Sequence, residues 1–600
     1  MLDVVKKLFL LLNQHERQRF YAVMFLALVS GLLEMASVAA ILPFLAVLSN
    51  PDRVQAHRAL DWLYSGLGFT TTLSFLIFLS LCVLGLVFVS LCVRLLSIYA
   101  IARFANMRSY SLSSRLMENY LRQPYPWFLN RNSAHLSKII LVEVQRVVNE
   151  AIMPVMLVFS QFALVLSLFG LLLVVEPTIA LLAVALFGGS YVAVFIAARQ
   201  AMTRIGAIVM ASTGARFKSV HEAMTSIKDV KILGVEKTFL DRFRTPTAEM
   251  AVAQSRGAVI GEAPRSILQA LALAGMLVLI LHLLVSRSGS LNDIVPTLGI
   301  FAFAGLRLFP ALQMIYRQLG ALKVTKPAVD ELYADMMETQ AQAMPWPKDR
   351  APLPLNERLE LVGISYAYPE ASRTALKSLD LSIAARESIG IVGGTGAGKT
   401  TLVDIMLGLL WPDEGSIRVD GVPVTRDNLR AWQKNIGYVP QQISLIDDTV
   451  AANIAFGLPV EQIDMTAVER AARIAELHDF VLSELPDGYE TRVGDHGVRL
   501  SGGQRQRVGI ARALYHDPDV LILDEATSAL DNLTEKAVMD AVHNLGQAKT
   551  IIMIAHRLST VRDCNSIIMI ERGQIVAQGP YADLLGKNAK FRAMAGAASH

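Results

Sequence analysis

The chain has 600 residues, 53% of them hydrophobic, and a mean hydropathy of +0.42. It is too long for one domain and too apolar for an ordinary soluble protein, so we expect a membrane protein with a soluble part. The formal net charge of +4 gives no indication of a nucleic-acid partner, and the three cysteines show neither metal-binding nor redox spacing.

Apolar stretches long enough to cross a bilayer, which takes about 20 residues per helix, occur throughout residues 1–340. The predicted spans are 20–48, 72–102, 150–175, 178–199, 264–286 and 293–317. Lys and Arg are concentrated in two long connections, 103–146 and 199–256, and are nearly missing from the short links that follow the third and fifth spans. The positive-inside rule therefore places both termini in the cytoplasm.

The connections between the predicted spans carry patterns of their own. Both basic connections are polar and helix-patterned, so we expect the spans to continue well into the cytoplasm. Residues 52–69, between the first two spans, place Trp62, Tyr64 and several apolar residues at helical spacing. This spacing predicts a short amphipathic helix on the outer face of the membrane.

A proline-rich linker, residues 341–358, separates the predicted transmembrane domain, residues 1–340, from a second domain, residues 359–595. In the second domain, short β-type runs alternate with helical stretches, which predicts an α/β fold with a mostly parallel sheet. The fold class expected for the chain is an all-α six-helix transmembrane domain followed by this α/β domain.

The second domain contains a glycine loop with the pattern of a phosphate-binding loop. It follows the apolar run 388–392 and precedes the apolar stretch 402–410, so we expect a strand, the loop and a helix. Its residues are Gly393, Gly394, Thr395, Gly396, Ala397, Gly398, Lys399 and Thr400, with Thr401 directly after them. The glycines let backbone N–H groups surround phosphate oxygens, Lys399 reaches the terminal phosphates, and Thr400 offers its hydroxyl to Mg²⁺.

Two further patterns in this domain fit a nucleotide site. An apolar run ends in Asp524 and Glu525; the first carboxylate suits Mg²⁺ and the second can hold an attacking water. A predicted helix starts with a serine and glycines, which makes an anion-binding helix end. The residues of this second pattern are Ser501, Gly502, Gly503 and Gln504.

Together these motifs resemble an ATP-binding cassette (ABC), whose signature is LSGGQ, over residues 359–595. The resemblance implies an ATP hydrolase that uses ATP and Mg²⁺, and it assigns roles to four more positions. Gln441 matches the glutamine that senses Mg²⁺ and the attacking water, and His556 matches the histidine on the γ-phosphate. Asp531 matches the D-loop aspartate, and Tyr368 the aromatic that stacks on adenine. Glu525 is intact, which implies an active hydrolysis site.

The resemblance also implies a dimer, because in this family the signature of one cassette completes the ATP site of the other. One membrane domain and one cassette per chain indicate a half-transporter, and two intact half-sites favour a homodimer over a heterodimer. The domain order resembles that of ABC exporters. The coupling helices of such exporters would fall in residues 134–147 and 220–233.

The cargo has to be inferred from the membrane domain, where three arginines lie in predicted spans. Arg94, Arg265 and Arg307 are all expected toward the cytoplasmic half of the bilayer, where charges face a cavity or a partner, or extend to the interface. Converging guanidinium groups suit a phosphate or diphosphate head group. Glu34, in the first span, is expected to pair with one of them, an interpretation favoured over a direct role in binding the cargo.

Residues 31–44 and 303–310 resemble the membrane half of the bacterial lipid-linked oligosaccharide flippases of protein N-glycosylation. The resemblance implies ATP-driven flipping of a polyprenyl-diphosphate glycan from the inner to the outer leaflet of the bacterial cytoplasmic membrane. A general lipid or multidrug exporter remains an alternative, as does, from another class, an ATP-gated channel or regulatory ATPase. A peptide exporter is less expected, because no peptidase domain precedes the first span.

Overall fold

Two compact units make up the structure, which is a computed structural model. The first comprises Met1–Gln123 and Trp127–Met344, and the second comprises Pro124–Pro126 and Pro345–His600. The residues described are 2–49, 54, 58–183, 185, 188–286, 291–346, 350–369, 373–494, 497–525, 532–545, 548–555 and 557–597. At several helical positions, Arg265 among them, this description covers the backbone and not the side chain.

Every regular secondary-structure element described in the first unit is a helix. Its α-helices are Leu2–Leu11, Gln14–Ala39, Ile41–Ser49, Arg58–Gly66, Thr72–Leu121, Ser133–Lys138, Val144–Val147, Met153–Val175, Pro177–Ala183, Gly189–Thr225, Ile227–Leu233, Glu236–Ser286 and Leu291–Gln342. A further helix, Tyr125–Leu129, begins within Pro124–Pro126, the segment that belongs to the second unit. Two π-helical turns, Ile139–Glu143 and Val148–Ile152, lie within the third predicted span and the connection before it.

Within the described residues, five helical segments are long and apolar enough to cross a membrane. They are Gln14–Ser49, Thr72–Leu121, Ser133–Val175, Gly189–Thr225 and Gly299–Gln342. The remaining predicted span, 264–286, lies in the helix Glu236–Ser286, where most side chains are outside the described part. The prediction of a helical transmembrane domain is confirmed.

Three helices extend far beyond the thickness of a bilayer, and two of them, those starting at Thr72 and Glu236, include parts of the helix-patterned connections as predicted. The helices starting at Thr72, Glu236 and Leu291 have 50, 51 and 52 residues, which corresponds to about 75 Å against a hydrocarbon core of about 30 Å. A short helix, Arg58–Gly66, lies within residues 52–69 as predicted, with Trp62 74% exposed.

The two stretches expected to hold coupling helices both place apolar side chains at the surface. In residues 134–147, Ile139, Val144 and Val147 are buried in the first unit's own core. In residues 220–233, the short helix Ile227–Leu233 leaves Leu233 70% exposed. The first stretch also exposes Leu141, by 71%, so exposure of apolar side chains does not distinguish the two stretches.

Close helix packing in the first unit depends on glycine at position 206. Gly206 lies on the helix Gly189–Thr225 and is buried against Val324 of the helix Leu291–Gln342. A Cβ added to Gly206 would overlap the carbonyl oxygen of Val324, which belongs to the backbone and cannot rotate away. Small residues at such contacts let membrane helices approach closely.

We expect Gly206→Ala to lower the thermal stability of the protein, because the two helices must separate to admit the methyl group. The expected decrease in the free energy of unfolding is about 1–3 kcal/mol. It is observed as a lower Tm in detergent solution. Gly170→Ala is the matched control, since nothing lies within 4 Å of a Cβ built there. Equal Tm values for the two variants would contradict the packing argument.

In the second unit the described residues form ten strands in two sheets. The strands are β1 Arg358–Ala367, β2 Thr374–Ala384, β3 Ser388–Val392, β4 Glu414–Val419, β5 Val422–Pro423, β6 Ile436–Val439, β7 Val520–Asp524, β8 Thr550–Ile554, β9 Ser566–Glu571 and β10 Gln574–Gly579. The helices are Lys399–Met406, Leu429–Gln433, Val450–Ile454, Met465–Ile474, His478–Glu484, Gly502–Leu514, Asn532–Leu545, Tyr581–Lys587 and Ala589–Ala597, with 3₁₀ turns at Val460–Gln462 and Gly488–Glu490.

The larger sheet has the order β10-β9-β3-β8-β7-β6 and is parallel except for its β9–β10 edge. Its strands β3, β7 and β8 are buried along their whole length, as expected for a sheet covered on both faces. The predicted mostly parallel sheet is therefore present. The smaller antiparallel sheet, in the order β2-β1-β4-β5, was not predicted, because its pairing joins strands through contacts that no local pattern indicates.

Candidate nucleotide site and membrane arginine cluster

The phosphate-binding loop lies between the buried strand β3 and the helix Lys399–Met406, as predicted. A Cβ at Gly393 would overlap the carbonyl oxygen of Ile570, so the loop can pass the β9 end only with glycine there. Gly398 has a φ of 108° at the start of the helix, in the region that favours glycine. The backbone thus curls around the helix N-terminus, where N–H groups and the helix dipole favour phosphate.

The Lys399 side chain is directed back into the centre of this loop. It is 7% exposed, and its Nζ donates to the carbonyls of Gly393 at 2.8 Å and Gly394 at 3.2 Å. Burial lowers the pKa of Lys399, an effect opposed by the charges of Glu525 and Asp524. An ammonium group held among acceptors and near two carboxylates is placed to meet a phosphate at the loop.

The predicted carboxylates stand at the carboxyl end of β7, on the same sheet edge as the loop. Asp524 is the last residue of β7, pairs in register with Ile554 of β8, and is 6% exposed. Glu525 follows it, and its Oε2 accepts a 2.9 Å hydrogen bond from Nε2 of Gln441. Gln441 comes just after β6, the neighbour of β7 in the sheet. Side chains from adjacent strand ends therefore meet at one place.

The backbone of Glu525 is held in an uncommon conformation. Its φ is 49°, in the left-handed region that residues with a Cβ avoid. Its N–H donates to the carbonyl of Ile554 at 3.0 Å, and its carbonyl accepts from Nε2 of Gln506 at 3.2 Å. Sequence reasoning did not find Gln506, because a contact from a side chain to a distant backbone carbonyl leaves no pattern in the residues.

The signature segment forms a capped helix start, as its residue types predict. The hydroxyl of Ser501 accepts from the backbone N–H of Gln504 at 3.2 Å, and the Gln504 side chain accepts from the N–H of Ser501 at 2.7 Å. This reciprocal pair is a capping box. Ser501 is exposed, and Gly502 and Gly503 are half-buried, so the helix Gly502–Leu514 presents its anion-binding end to solvent.

Three of the residues assigned by resemblance have different outcomes. Tyr368 is half-buried, packs edge-on against Tyr366 at 5.1 Å, and lies with its hydroxyl 3.2 Å from Oγ1 of Thr401. Tyr368 is thus joined to the helix that follows the phosphate loop. His556 and Asp531 lie outside the described residues.

Thr395, Gly396 and Thr400 are exposed on the loop, and Ala397 is buried beneath it.

Asp404, which the sequence did not single out, adds negative charge close to Asp524. Burial, followed by the charge of Asp524, raises the pKa of Asp404 to about 6. The pKa of an aspartate in an unfolded chain is lower, so folding disfavours the ionised form. Stability from the neutral form is complete below about pH 4 and is lost as the pH rises through about 6.

Asp404→Asn is therefore expected to raise the Tm of the protein at pH 7.5, with a gain that shrinks toward pH 5. Because the side chain is only partly buried and solvent screens it, we expect about 1 kcal/mol. Thermal unfolding without nucleotide across this pH range measures the effect. The exposed Asp427→Asn is the control, and a gain that is constant with pH would exclude Asp404 ionisation as the cause.

In the first unit, two of the three predicted arginines meet at one carboxylate. Glu34 is buried; its Oε1 lies 3.6 Å from Nε of Arg94 and its Oε2 lies 3.7 Å from Nη1 of Arg307. The arginine side chains are 41% and 38% exposed. The side chain of Arg265 is outside the described part. The expected pairing of Glu34 with one arginine is thus a pairing with two.

A phosphate-loop site on a parallel sheet, joined to helices of membrane-spanning length, defines a membrane-bound ATPase. Comparison with known families identifies which one. Residues 376–528 match the ABC transporter family, and residues 20–305 match the ABC transporter transmembrane region. The chain therefore belongs to the ABC transporters, as an exporter-type half-transporter in which ATP hydrolysis by the cassette is coupled to transport.

Individual relatives agree with this family. An "ATP-dependent lipid A-core flippase" from Cupriavidus metallidurans is 32% identical over 501 residues, covering 82% of this chain and 82% of the relative. A protein of the same description from Bordetella pertussis is 30% identical over 570 residues, covering 94% and 88%. A solved "bacterial Atm1-family ABC exporter with ATP bound" shares the fold, with a TM-score of 0.78, 22% identity, and coverage of 97% and 99%.

Proposed function

We propose that this exporter flips a lipid with a phosphate-bearing glycan head group, namely a polyprenyl-diphosphate-linked oligosaccharide, from the inner to the outer leaflet of a bacterial cytoplasmic membrane. The observation that carries the proposal is the cluster of Arg94, Arg307 and Glu34 in a unit of membrane-length helices. Charged side chains within membrane segments are costly and face a cavity or a partner.

The charge of the cluster favours an anionic cargo. Glu34 is buried and compensates one guanidinium, so each subunit keeps one excess positive charge there. Both arginines also keep more than a third of their side chains exposed, which leaves donor groups for a ligand. Guanidinium binds phosphate oxygens in a bidentate manner, and a neutral drug would gain nothing from this arrangement.

A second candidate cargo is a glycolipid of the lipid A-core type. It is favoured by the relatives, which are described as flippases for that lipid. Both candidates carry phosphate next to sugar, and they differ in the lipid: a single polyprenyl chain or several acyl chains. The arginine cluster does not distinguish them, so the experiment below must.

The working form that we propose is a homodimer in which Ser501–Gln504 of each subunit faces the ATP bound by the other. Support comes from the exposed, capped start of the helix Gly502–Leu514, which presents its anion-binding end to solvent. Because each chain carries both carboxylates and the lysine, two copies of the same chain would form two equivalent ATP sites.

We also propose that Mg²⁺ accompanies ATP, held by Asp524, Thr400 and Gln441. The site fits a cation, because Asp524 is a buried carboxylate. Its negative charge contributes to the raised pKa of Asp404, and a bound cation would compensate that charge. Mg²⁺ would compensate charge on the phosphates. The residues themselves supply orientation: Gln441 holds the Glu525 carboxylate, which can position the attacking water.

Reconstitution into proteoliposomes tests the proposed cargo. Labelled polyprenyl-diphosphate glycan, a lipid A-type glycolipid, a phospholipid and a dye are each placed in the leaflet on the side of the cassettes, to which ATP is added. Glu525→Gln is the inactive control. We expect ATP-dependent flipping of the polyprenyl diphosphate. Flipping of the lipid A-type lipid alone would select the second candidate, and equal movement of all four would show a general exporter.

A further inference from the structure

Gln506 lies inside the signature helix and contacts the residue on which hydrolysis depends. It is 3% exposed on the helix Gly502–Leu514. Its Nε2 donates to the backbone carbonyl of Glu525 at 3.2 Å. The contact holds the peptide group of Glu525 and not its carboxylate.

The position of Glu525 makes that peptide contact consequential. With a φ of 49° the residue is in a disfavoured backbone region, so it keeps this conformation only if its surroundings enforce it. Three groups do so from three elements: the Ile554 carbonyl of β8 binds the N–H, Gln441 binds the carboxylate, and Gln506 binds the carbonyl.

We propose that Gln506 is a positioning residue for ATP hydrolysis, which sets the direction of the Glu525 carboxylate through the Glu525 carbonyl. With the N–H held by the Ile554 carbonyl, relaxation of the disfavoured φ is a rotation about the N–Cα bond, which moves the carbonyl and the Cβ together. The Gln506 hydrogen bond opposes this rotation and so keeps the carboxylate at Gln441. Shifts of about 1 Å in a reacting group are enough to reduce rates severely.

The contact also makes the orientation of Glu525 depend on the signature helix. Gln506 lies five positions after the cap Ser501, which is about one and a half helical turns. A helix moves as a rigid body over that distance, so a displacement of its anion-binding end displaces the Gln506 amide. The carboxylate is then correctly aimed only when the signature helix occupies one position relative to β7.

The alternative is that Gln506 only fills the interior and satisfies a buried carbonyl. Both interpretations predict some loss of stability on substitution, so stability cannot separate them. Two measurements distinguish them. The first is whether substitution of Gln506 still lowers kcat when Glu525 is already disabled. The second is whether a carboxyl group at position 506, which donates a hydrogen bond only when protonated, restores activity as the pH falls.

The first experiment compares Gln506→Met with Gln433→Met in the full-length reconstituted transporter. Gln433 is a suitable control, because its Nε2 also donates to a backbone carbonyl, that of Leu407 at 3.0 Å, away from Glu525. We expect Gln506→Met to lower kcat about tenfold with KM for ATP and ATP-binding stoichiometry changed less than about twofold. In the Glu525→Gln background the same substitution should change residual single-turnover hydrolysis by less than about twofold.

The second experiment uses Gln506→Glu, which keeps the volume and remains interpretable if the methionine variant does not fold. Its carboxyl group can donate to the Glu525 carbonyl only when protonated. Its kcat relative to wild type should therefore rise about threefold or more as the pH falls from about 8 to 6. An unchanged kcat in Gln506→Met, an undiminished tenfold loss in the Glu525→Gln background, or a pH-independent ratio for Gln506→Glu would each overturn the proposal.

Discussion

Glu525→Gln is expected to bind ATP normally and to hydrolyse it at least about 100-fold more slowly than wild type. The substitution keeps the size and shape of the side chain. Its amide oxygen can still accept the hydrogen bond that Nε2 of Gln441 donates to Oε2 of Glu525 at 2.9 Å. What is lost is the negative charge that orients and activates the attacking water, an interaction that matters in the transition state and not in binding.

The measurement is phosphate release at saturating ATP, together with equilibrium binding of a fluorescent ATP analogue. Glu484→Gln is the matched control, because Glu484 is an exposed glutamate at the end of a cassette helix, distant in sequence from the nucleotide motifs. Phosphate release by the Glu525 variant at the wild-type rate would remove Glu525 from its assigned role. Loss of ATP binding would instead indicate damage to the phosphate loop.

The nucleotide site was largely predictable, because its residues act where secondary structure elements start and end. A glycine run between a strand and a helix, and acidic residues after an apolar strand, are local patterns that carry their own physical reason. Parallel strands then bring such ends to one edge of the sheet. The contact between Gln441 and Glu525, which are 84 residues apart, follows from β6 lying beside β7.

Contacts made by buried side chains with distant groups were not predictable in the same way. Gln506 is two residues beyond the signature, and neither its polarity nor its spacing distinguishes it from neighbouring polar residues of the helix. The Glu525 conformation depends on β8 and on that helix together. Asp404 is one aspartate among many, and its raised pKa results from burial beside Asp524. Each of these properties arises from packing of elements that are far apart in the chain.

The membrane unit shows the same limit. Hydropathy indicates how deep Arg94 and Arg307 lie along their helices, whereas it does not indicate which way each helix is turned. Glu34 was expected to have one arginine partner, and the packing of three helices gives it two. A count of charges in spans therefore overestimates the positive charge available to a ligand unless the acidic partner is included.

The largest expected effect on transport comes from Arg307→Gln, which should reduce flipping of a diphosphate-linked lipid by about 10- to 100-fold while basal ATPase activity stays within about twofold. The magnitude corresponds to the loss of a hydrogen bond to a charged group, about 1.5–3 kcal/mol. ATPase activity should persist, because Arg307 belongs to the first unit and the hydrolytic residues to the cassette. Flipping and phosphate release are measured on the same proteoliposomes.

Arg317→Gln is the control on the same helix, since Arg317 is 52% exposed and pairs with Glu262 at 3.9 Å instead of Glu34.

Glu34→Gln and the double variant Glu34→Gln/Arg307→Gln separate cargo binding from ion pairing. If the arginines hold cargo, removing Glu34 leaves both guanidinium groups and should preserve flipping. In the double variant, Arg94 is released from its partner, so part of the flipping lost in Arg307→Gln should return. If the cluster serves only to join helices, Glu34→Gln should be as damaging as Arg307→Gln, because either change breaks the same pair. Unchanged flipping in Arg307→Gln would exclude this residue from cargo binding and leave the diphosphate without its main proposed contact.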